Sequence, residues 1–309
     1  MAFIALGFIT VLVSLALMPR AGFARLFQVD RRPASATAPV PTFQHVFNIM
    51  MENKAAGEVL DSSAMPYLNQ LAARYGIAAN YYGIRHPSLP NYIALTGGDT
   101  FGITKNCTDC MLNQANIADQ IEAAGRSWKA YIEDLPHACF LGDAEPLYRQ
   151  KHNPFIYYDT IRTNPARCAQ VVPFTEFGRD LAANALPDYV WITPNMCHST
   201  HDCSLQVGDE WLHTWVDQII ASPAWRNNGV LFITYDEGNT NDKSGCCTYA
   251  EGGRIVTLVI SPLVKPGYRS PYSYSHYSLL RTIEAAWGLP LLGRADCDCS
   301  PTMADFFTP

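Results

Sequence analysis

Four side chains with oxygen donors follow two apolar runs of the sequence. Glu52 and Asn53 come directly after one run, and Asp236 and Glu237 come directly after the other. Ligands of open α/β sheets gather outside the carboxyl ends of the strands, so the two pairs are expected at one site. Carboxylate and amide oxygens suit a hard divalent cation, without which the grouped carboxylates would repel one another. Either pair taken alone is also typical of an ordinary solvated strand end.

Ser88 is the candidate nucleophile. It stands between Pro87 and Pro90, just before a run at 91–96 that predicts the first turns of a helix, where proline is well tolerated. Backbone N–H groups and the positive end of the helix dipole would face an anion there. A cation at the same place could lower the pKa of the serine and polarise a phosphoryl oxygen. In isolation, the segment is better interpreted as an ordinary N-cap serine.

Alternating strand-like and helix-like segments must position these groups. The predicted strands are 45–51, 77–82, 127–132, 188–193, 230–235 and 255–260. The predicted helices are 65–75, 91–96, 117–124, 174–185, 210–221 and 277–287. This alternation predicts an α/β fold with a mostly parallel sheet sandwiched by helices. The Gly- and Cys-rich segments 98–110, 238–253 and 293–300 are predicted to be active-site or edge loops, and no second domain is evident.

An ordered set of short motifs resembles a known family. The motifs are Glu52-Asn53, Pro87-Ser88-Leu89-Pro90-Asn91, Pro194-Asn195, His201-Asp202, Gly208-Asp209, Trp211-Leu212, Asp236-Glu237-Gly238, Ser261-Pro262 and Ser275-His276-Tyr277-Ser278. From about residue 43 to the C-terminus, the chain resembles the phosphoesterase family of the alkaline phosphatase superfamily, which contains bacterial acid phosphatases and phospholipases C. The segment 100–106 resembles that of small secreted acid phosphatases that also dephosphorylate phosphatidylinositol 3-phosphate.

The resemblance implies an alkaline-phosphatase-like domain over 43–309 and a secreted, metal-assisted phosphomonoesterase. Ser88 would form a phosphoserine intermediate, and Asn91 would donate to a phosphoryl oxygen of the substrate. A divalent ion (Ca, Mg, Mn or Zn) would be held by Glu52, Asn53, Ser88, Asp236 and Glu237. The expected substrate is a phosphoester, with a phosphoinositide or another phospholipid headgroup as a candidate. Two alternatives remain open: a phospholipase C-type phosphodiesterase, and an inactive cell-surface binding protein on the same scaffold.

Histidines are the candidate proton donors. His201, followed by Asp202, and His276 match histidines of the family, and they would protonate the leaving oxygen and stabilise the transition state. His86, two residues before the serine, would contact the substrate or pack against the sheet edge. His198 is interpreted as loop surface, and His45, His137, His152 and His213 as structural or surface residues. Asp209 is interpreted as a helix cap despite its match to the family.

The N-terminus predicts export. Residues 3–18 are apolar and uncharged, a length that fits the apolar core of a signal peptide better than a membrane span. We therefore expect a signal peptide or N-terminal anchor at 1–24, a linker at 25–42, and a secreted or extracytoplasmic protein. No Lys or Arg precedes the apolar run, which leaves an uncleaved anchor open, and a buried core helix is the third interpretation. Membrane contact is expected only through this segment if it is uncleaved.

Charge and cysteine content narrow the classes further. The net charge of −6 and the scattered basic residues argue against a nucleic-acid binder and against a polybasic membrane patch. Ten cysteines, an even number in a chain with an export signal, predict disulfides whose pairing is open. The alternative is a zinc site, because Cys107 and Cys110 have ligand-like spacing. Cys197 and Cys203 bracket the segment of His201, so a bridge between them would stiffen a candidate catalytic loop.

Overall fold

The computed structural model describes residues 39–308. The predicted signal peptide or anchor at 1–24, and the predicted linker as far as residue 38, lie outside the described residues. Within 39–308, no helix is both long enough and apolar enough to span a membrane.

A single mixed sheet forms the centre of the fold. Its strands are β1 (Val46–Met51), β2 (Gly76–Tyr82), β3 (Trp128–Ile132), β4 (Val171–Pro173), β5 (Tyr189–Thr193), β6 (Val230–Tyr235), β7 (Arg254–Ile260), β8 (Tyr268–Arg269) and β9 (Tyr274–Ser275). The strand order is β4-β3-β5-β1-β6-β7-β2-β8, with β9 beside β2. All neighbours pair in parallel except that β7 runs antiparallel to both β6 and β2. The predicted, mostly parallel sheet is confirmed.

The direction of the strands decides where the site lies. Strands β1, β2, β5 and β6 point the same way, so the segments that follow them emerge at one edge of the sheet. The central strands β1 and β6 are buried along their whole length, which explains their continuous apolar sequence. The segment between β6 and β7 contains no crossover helix, because two antiparallel neighbours can be joined by a loop alone.

Helices flank the sheet. They are α1 (Ala56–Val59), α2 (Pro66–Arg74), α3 (Leu89–Gly97), α4 (Ile117–Ala123), α5 (Asp159–Arg162), α6 (Pro165–Cys168), α7 (Thr175–Ala182), α8 (Leu205–Ala221), α9 (Pro223–Arg226) and α10 (His276–Trp287). Short 3-10 helices occur at Gln150–His152, Pro154–Tyr157, Gly293–Asp296 and Ala304–Phe306. Helix α3 packs against α10, and α2 packs against α8.

Helix α3 follows Ser88, and helix α8 contains Asp209. Every residue of α3 is buried, and the helix ends at Gly98 in the left-handed region (φ +77), where a Cβ atom would lie 2.3 Å from the Leu292 carbonyl oxygen. Helix α8 begins at Leu205, five residues before the predicted start. The prediction began the helix at residue 210 because it treated Asp209 as its cap, whereas Asp209 lies inside the helix.

Candidate active site

Two buried carboxylates lie side by side where β1 and β6 end. Met51 and Tyr235 are paired in register, so Glu52 and Asp236 follow them at the same level of the sheet. The Asn53 backbone N–H donates to Asp236 Oδ1 (2.8 Å), which ties the two strand ends together. Glu52 and Asp236 are completely buried, and Glu237 is only 4% exposed. The structure therefore brings Glu52, Asp236 and Glu237 together at one edge of the sheet.

Burial makes the ionised forms of these acids costly. Loss of hydration raises the pKa of Glu52, and the nearby Lys151 opposes that rise. Loss of hydration also raises the pKa of Asp236 and of Glu237, and repulsion among the three carboxylates raises both further. The three carboxyl groups at this edge of the sheet are therefore costly to ionise together. A positive charge beside them would stabilise their ionised forms.

Ser88 occupies the position before the first residue of α3. Its Oγ lies 3.2 Å from Glu52 Oε2 and 3.3 Å from Glu237 Oε1. The hydroxyl is therefore directed at two carboxylates rather than at the free amides of the helix, as it would be in an ordinary N-cap. Ser88 is buried, with only 1% of its surface exposed. The structure brings Ser88, Glu52 and Glu237 together.

Asn91 holds the turn that presents Ser88. Its Oδ1 accepts from the backbone N–H groups of Ile84 (2.7 Å) and Arg85 (3.2 Å). Its Nδ2 donates to the carbonyl oxygens of Arg85 (2.7 Å) and Pro87 (3.1 Å). Both N–H groups of the amide are thereby used, so the predicted donation from Asn91 to a phosphoryl oxygen has no support in this geometry. Asn91 instead fixes the backbone before the nucleophile candidate.

Asn106 was not identified as a site residue from the sequence. Its Oδ1 accepts from the backbone N–H of Leu89 (3.1 Å), the first residue of α3. The segment 100–106 therefore returns to the start of the serine helix and covers its first amide. The signal was present in the family-like segment 100–106, but nothing in the spacing of that segment shows where Asn106 lies.

A 3-10 helix brings basic residues to the carboxylates. His152 Nε2 lies 3.1 Å from Glu52 Oε2, but the angle between them is unsuitable for a hydrogen bond. Tyr92 donates its hydroxyl to Glu52 Oε1 and stacks on the His152 ring at 5.4 Å. Burial and the charge of Lys151 hold the pKa of His152 well below its usual value, so its imidazole is neutral. The sequence analysis interpreted His152 as a structural or surface residue, and the structure buries it beside Glu52.

His201 lies next to this group. Its Nδ1 pairs with Asp202 Oδ1 (2.6 Å), and its Nε2 lies 3.5 Å from Lys151 Nζ. Its ring centre is 6.0 Å from that of His152. The His201 side chain is 23% exposed, so it is reached by solvent. The structure thus places His201 and Asp202 beside His152, together with Lys151, which the sequence analysis did not identify.

His276 and His86 have both ring nitrogens engaged by protein groups. His276 Nε2 donates to the carbonyl oxygen of Asp236 (2.6 Å), and its Nδ1 lies 3.2 Å from the Tyr81 hydroxyl. Burial lowers the pKa of His276 to about 4, so the ring is neutral and serves to fix Asp236. His86 pairs through Nδ1 with Glu237 Oε2 and through Nε2 with the Asp242 carbonyl oxygen (2.8 Å). The predicted proton donation by His276 and substrate contact by His86 have no support in this geometry.

The oxygen atoms around Ser88 fit a hard cation. Within 39–308, no three His, Cys, Asp or Glu side chains already meet around a point where an ion would bind. Asn53 Oδ1 and Asp236 Oδ2, however, are buried and find no hydrogen-bond partner among the described residues. Buried polar atoms normally have partners. The residues that could hold an ion are therefore Asn53 and Asp236, with the neighbouring oxygens of Glu52, Ser88 and Glu237.

All ten cysteines pair in the structure. The bridges are Cys107–Cys110, Cys139–Cys168, Cys197–Cys203, Cys246–Cys247 and Cys297–Cys299. The prediction of disulfides is confirmed, and the alternative of a zinc site at Cys107 and Cys110 is wrong because those residues form a bridge. The Cys197–Cys203 bridge closes the loop that carries His201 and Asp202.

Comparison with known proteins places the chain in a family. The model of the Phosphoesterase family matches residues 50–290, which include Glu52, Ser88, His201 and Asp236. The chain belongs to the phosphoesterase family. Its residues 1–49 and 291–309 lie outside the matched range.

The phosphoesterase relatives differ in length from this chain. An acid phosphatase of Aspergillus fumigatus is 32% identical over 266 residues, which cover 82% of this chain and 57% of the relative. A phosphatidylinositol-3-phosphatase of Mycobacterium tuberculosis is 31% identical over 263 residues, covering 84% of this chain and 82% of the relative. A non-hemolytic phospholipase C of Burkholderia pseudomallei is 25% identical over 285 residues, covering 73% and 40%. This phosphoesterase thus spans less than two thirds of the A. fumigatus enzyme.

Solved structures support the fold of this phosphoesterase. The lipoteichoic acid synthase LtaP of Listeria monocytogenes has a TM-score of 0.59 at 10% identity, covering 85% of this chain and 76% of the other. A protein in the alkaline phosphatase superfamily from Vibrio parahaemolyticus has a TM-score of 0.56 at 14% identity, covering 83% and 71%. At these identities the likeness concerns the fold alone, and it agrees with the predicted alkaline-phosphatase-like sheet.

Proposed function

We propose that this phosphoesterase is a metal-assisted phosphomonoesterase that uses Ser88 as its nucleophile. The observation that carries the proposal is the position of Ser88 Oγ, 3.2 Å from Glu52 and 3.3 Å from Glu237, at the start of the buried helix α3. A serine hydroxyl is a weak nucleophile until a base or a cation activates it. The structure offers neighbouring carboxylates as bases and a group of oxygen donors suited to a cation.

The proposed ligands of the divalent ion are Glu52, Asn53, Ser88, Asp236 and Glu237. Their support is the two buried oxygens without partners and the raised pKa values of the acids, which show the cost of their negative charge without a cation. A donor set made of oxygens favours Ca²⁺, Mg²⁺ or Mn²⁺ over Zn²⁺. When bound, the ion would lower the pKa of the Ser88 hydroxyl and polarise a phosphoryl oxygen.

The chain's own residues account for the proton transfers. Ser88 Oγ forms a bond to phosphorus while the bond from phosphorus to the alcohol oxygen breaks, and the serine proton passes to a neighbouring carboxylate. His201, held by Asp202 and open to solvent, gives the leaving oxygen its proton. Lys151, 3.5 Å from His201, adds positive charge where negative charge develops. Water then gives a proton to His201 as its oxygen bonds to phosphorus, the bond from phosphorus to Ser88 Oγ breaks, and the carboxylate returns its proton to Ser88 as inorganic phosphate leaves.

Phosphoinositide monoesters are the proposed substrate class. The relative named phosphatidylinositol-3-phosphatase aligns over 82% of its own length, whereas the phospholipase C of B. pseudomallei aligns over 40% of its length at lower identity. The five disulfides support the proposal that the enzyme works in an oxidising, extracytoplasmic compartment.

A substrate panel tests this proposal. The substrates are a soluble phosphomonoester, phosphatidylinositol 3-phosphate, a soluble phosphodiester and phosphatidylcholine, each with and without a chelator. We expect both monoesters to be hydrolysed, the diesters to react far more slowly, and the chelator to abolish turnover. Preferred cleavage of phosphatidylcholine would favour the phospholipase C alternative, and a lack of turnover on all four substrates would contradict the proposal.

Ser222→Ala is the matched control for Ser88→Ala. Ser222 also precedes a helix, but its Oγ accepts from the Trp225 N–H (3.2 Å), as a true N-cap does. It precedes β6 and so lies toward the opposite edge of the sheet from Asp236. Ser222→Ala should lower stability by about 1 kcal/mol and leave turnover intact. Ser88→Ala should instead abolish turnover and leave stability nearly unchanged. Loss of stability without loss of turnover in Ser88→Ala would make it an ordinary cap.

A further inference from the structure

The loop between β6 and β7 is joined to the turn that precedes Ser88. We call residues 238–253 the β6–β7 loop. Within and beside it, the Gly238 N–H donates to the Gly252 carbonyl (2.8 Å), and the Gly252 N–H donates to the Gly83 carbonyl (2.9 Å). The Glu251 N–H donates to the Ile84 carbonyl (2.9 Å). A Cβ atom on Gly252 would lie 2.7 Å from the Arg85 nitrogen, so the approach requires glycine. The loop and the turn form one hydrogen-bonded backbone unit.

Asp242 shapes the corner of this loop. Its Oδ1 accepts from the Ser244 N–H (2.8 Å), and its Oδ2 accepts from the Arg254 N–H (3.1 Å). These two bonds fix the backbone around Asp242, whose carbonyl oxygen lies 2.8 Å from His86 Nε2. A carbonyl oxygen can only accept, so this contact places a hydrogen on Nε2.

His86 connects the Asp242 carbonyl of the loop to the candidate site. Its Nδ1 pairs with Glu237 Oε2, and the other oxygen of the same carboxylate, Oε1, lies 3.3 Å from Ser88 Oγ. The His86 side chain is 17% exposed, and that of Glu237 is 5% exposed. The imidazole is held at both nitrogens, between a loop carbonyl and a carboxylate that contacts the serine.

We infer that His86 is a positioning residue, through which the β6–β7 loop sets the orientation of Glu237 toward Ser88. The inference rests on the proposed function, because it assigns Glu237 a role in that reaction. It differs from the predicted role of His86 as a substrate contact. A residue that touches the substrate affects KM, whereas a residue that orients Glu237 affects kcat.

Variants of His86 separate the two contacts of the ring. Asparagine places a nitrogen near the position of Nδ1, and glutamine places one near the position of Nε2. His86→Ala should lower kcat about 10–100-fold, the usual effect of removing a group that orients a metal ligand, with little change in KM. His86→Asn should restore more of kcat than His86→Gln, because only asparagine reaches Glu237. A rise in KM with kcat retained would overturn the inference and make His86 a substrate contact.

Asp242→Ala tests the contribution of the loop. Removing both side-chain acceptors should loosen the carbonyl on which His86 rests and lower kcat about 10-fold. Glu251→Ala is the matched control: Glu251 is an exposed acid of the same loop whose side chain has no hydrogen-bond partner within residues 39–308. Its kcat should stay within about 2-fold of wild type. In the His86→Asn background, Asp242→Ala should cause no further loss of kcat, because the asparagine no longer contacts the Asp242 carbonyl oxygen. An undiminished loss in that background would overturn the inference.

Hydrogen exchange in the metal-free protein gives a readout that needs no turnover. His86→Asn breaks the contact with the Asp242 carbonyl, so the amides of the β6–β7 loop should exchange faster than in wild type. His86→Gln keeps that contact and should exchange like wild type. Unchanged exchange in His86→Asn would overturn the inference. An inactive wild-type protein that shows the expected exchange pattern would instead overturn the proposed function and leave the contact between loop and histidine established.

Discussion

Asp209 gives a sharp test of whether a residue that matches the family pattern acts in the reaction or in the fold. The structure places it in α8, from where its two carboxylate oxygens accept from the N–H groups of Tyr67 (2.9 Å) and Leu68 (2.8 Å). These are the second and third residues of α2, which begins at Pro66. The interpretation of Asp209 as the cap of its own helix was wrong, because Asp209 lies inside α8 and its carboxylate accepts from the first-turn amides of α2.

Asp209→Ala would leave both amides buried without partners. Each hydrogen bond to a charged group contributes about 1.5–3 kcal/mol to stability. Burial raises the pKa of Asp209, so the carboxylate bears a desolvation cost that alanine avoids, and this offsets part of the loss. We expect a net destabilisation of about 3 kcal/mol, which corresponds to a fall in Tm of about 6–12 °C for a domain of this size.

Thermal unfolding and steady-state kinetics together decide the question. Asp209→Ala should lower Tm while keeping kcat per folded molecule, because its contacts are with α2 and not with Ser88 or the carboxylates. The matched control is Glu210→Ala, the neighbouring and exposed acid of the same helix, which should change neither quantity. A fully stable Asp209→Ala protein, or one that is folded but has lost most of its kcat, would refute the structural role.

Three further predictions concern pH, metal and disulfides. Burial raises the pKa of Glu284 from 4.5 to about 8, so the folded protein keeps a proton that the unfolded chain releases, and stability should fall as pH rises through that window. Glu284→Gln should therefore raise Tm relative to wild type at pH 8 but not at pH 4, and an equal shift at both would contradict the assignment. Asp236→Ala should lose both the bound metal, measured by elemental analysis, and turnover; full activity after exhaustive chelation would exclude the metal. Mild reduction should lower turnover before Tm, because the bridge between Cys197 and Cys203 spans only six positions and mainly holds His201; parallel losses would argue against that role.

The regular part of the fold was readable from the sequence because its strands are long and apolar. The six predicted strands and six predicted helices all occur, with most ends within two residues. Strands β4, β8 and β9 have only two or three residues, too few to show a period. The reversed direction of β7 was not predicted, because an apolar run does not encode the direction of its strand.

The strand-end residues of the site could be predicted from the apolar pattern, whereas residues between the strands were named only where they match or adjoin a family motif. Glu52 and Asp236 follow buried strands, and parallel pairing brings such positions together. His152 and Asn106 reach the site from a short 3-10 helix and a loop, whose paths no periodicity reports. His276 matched the family pattern, but a sequence cannot show that both nitrogens of its ring already have protein partners.

The measurement that tests the account most directly is the capture of the covalent intermediate. The metal-loaded enzyme is mixed with a phosphomonoester, quenched in acid within the first turnovers, and digested for peptide mapping. We predict phosphate on the peptide that contains Ser88, no labelled peptide in Ser88→Ala, and a fall in turnover of at least ~10³-fold in that variant, as for removal of other nucleophiles. Near wild-type turnover in a folded Ser88→Ala protein, or phosphate trapped on another residue, would contradict the account.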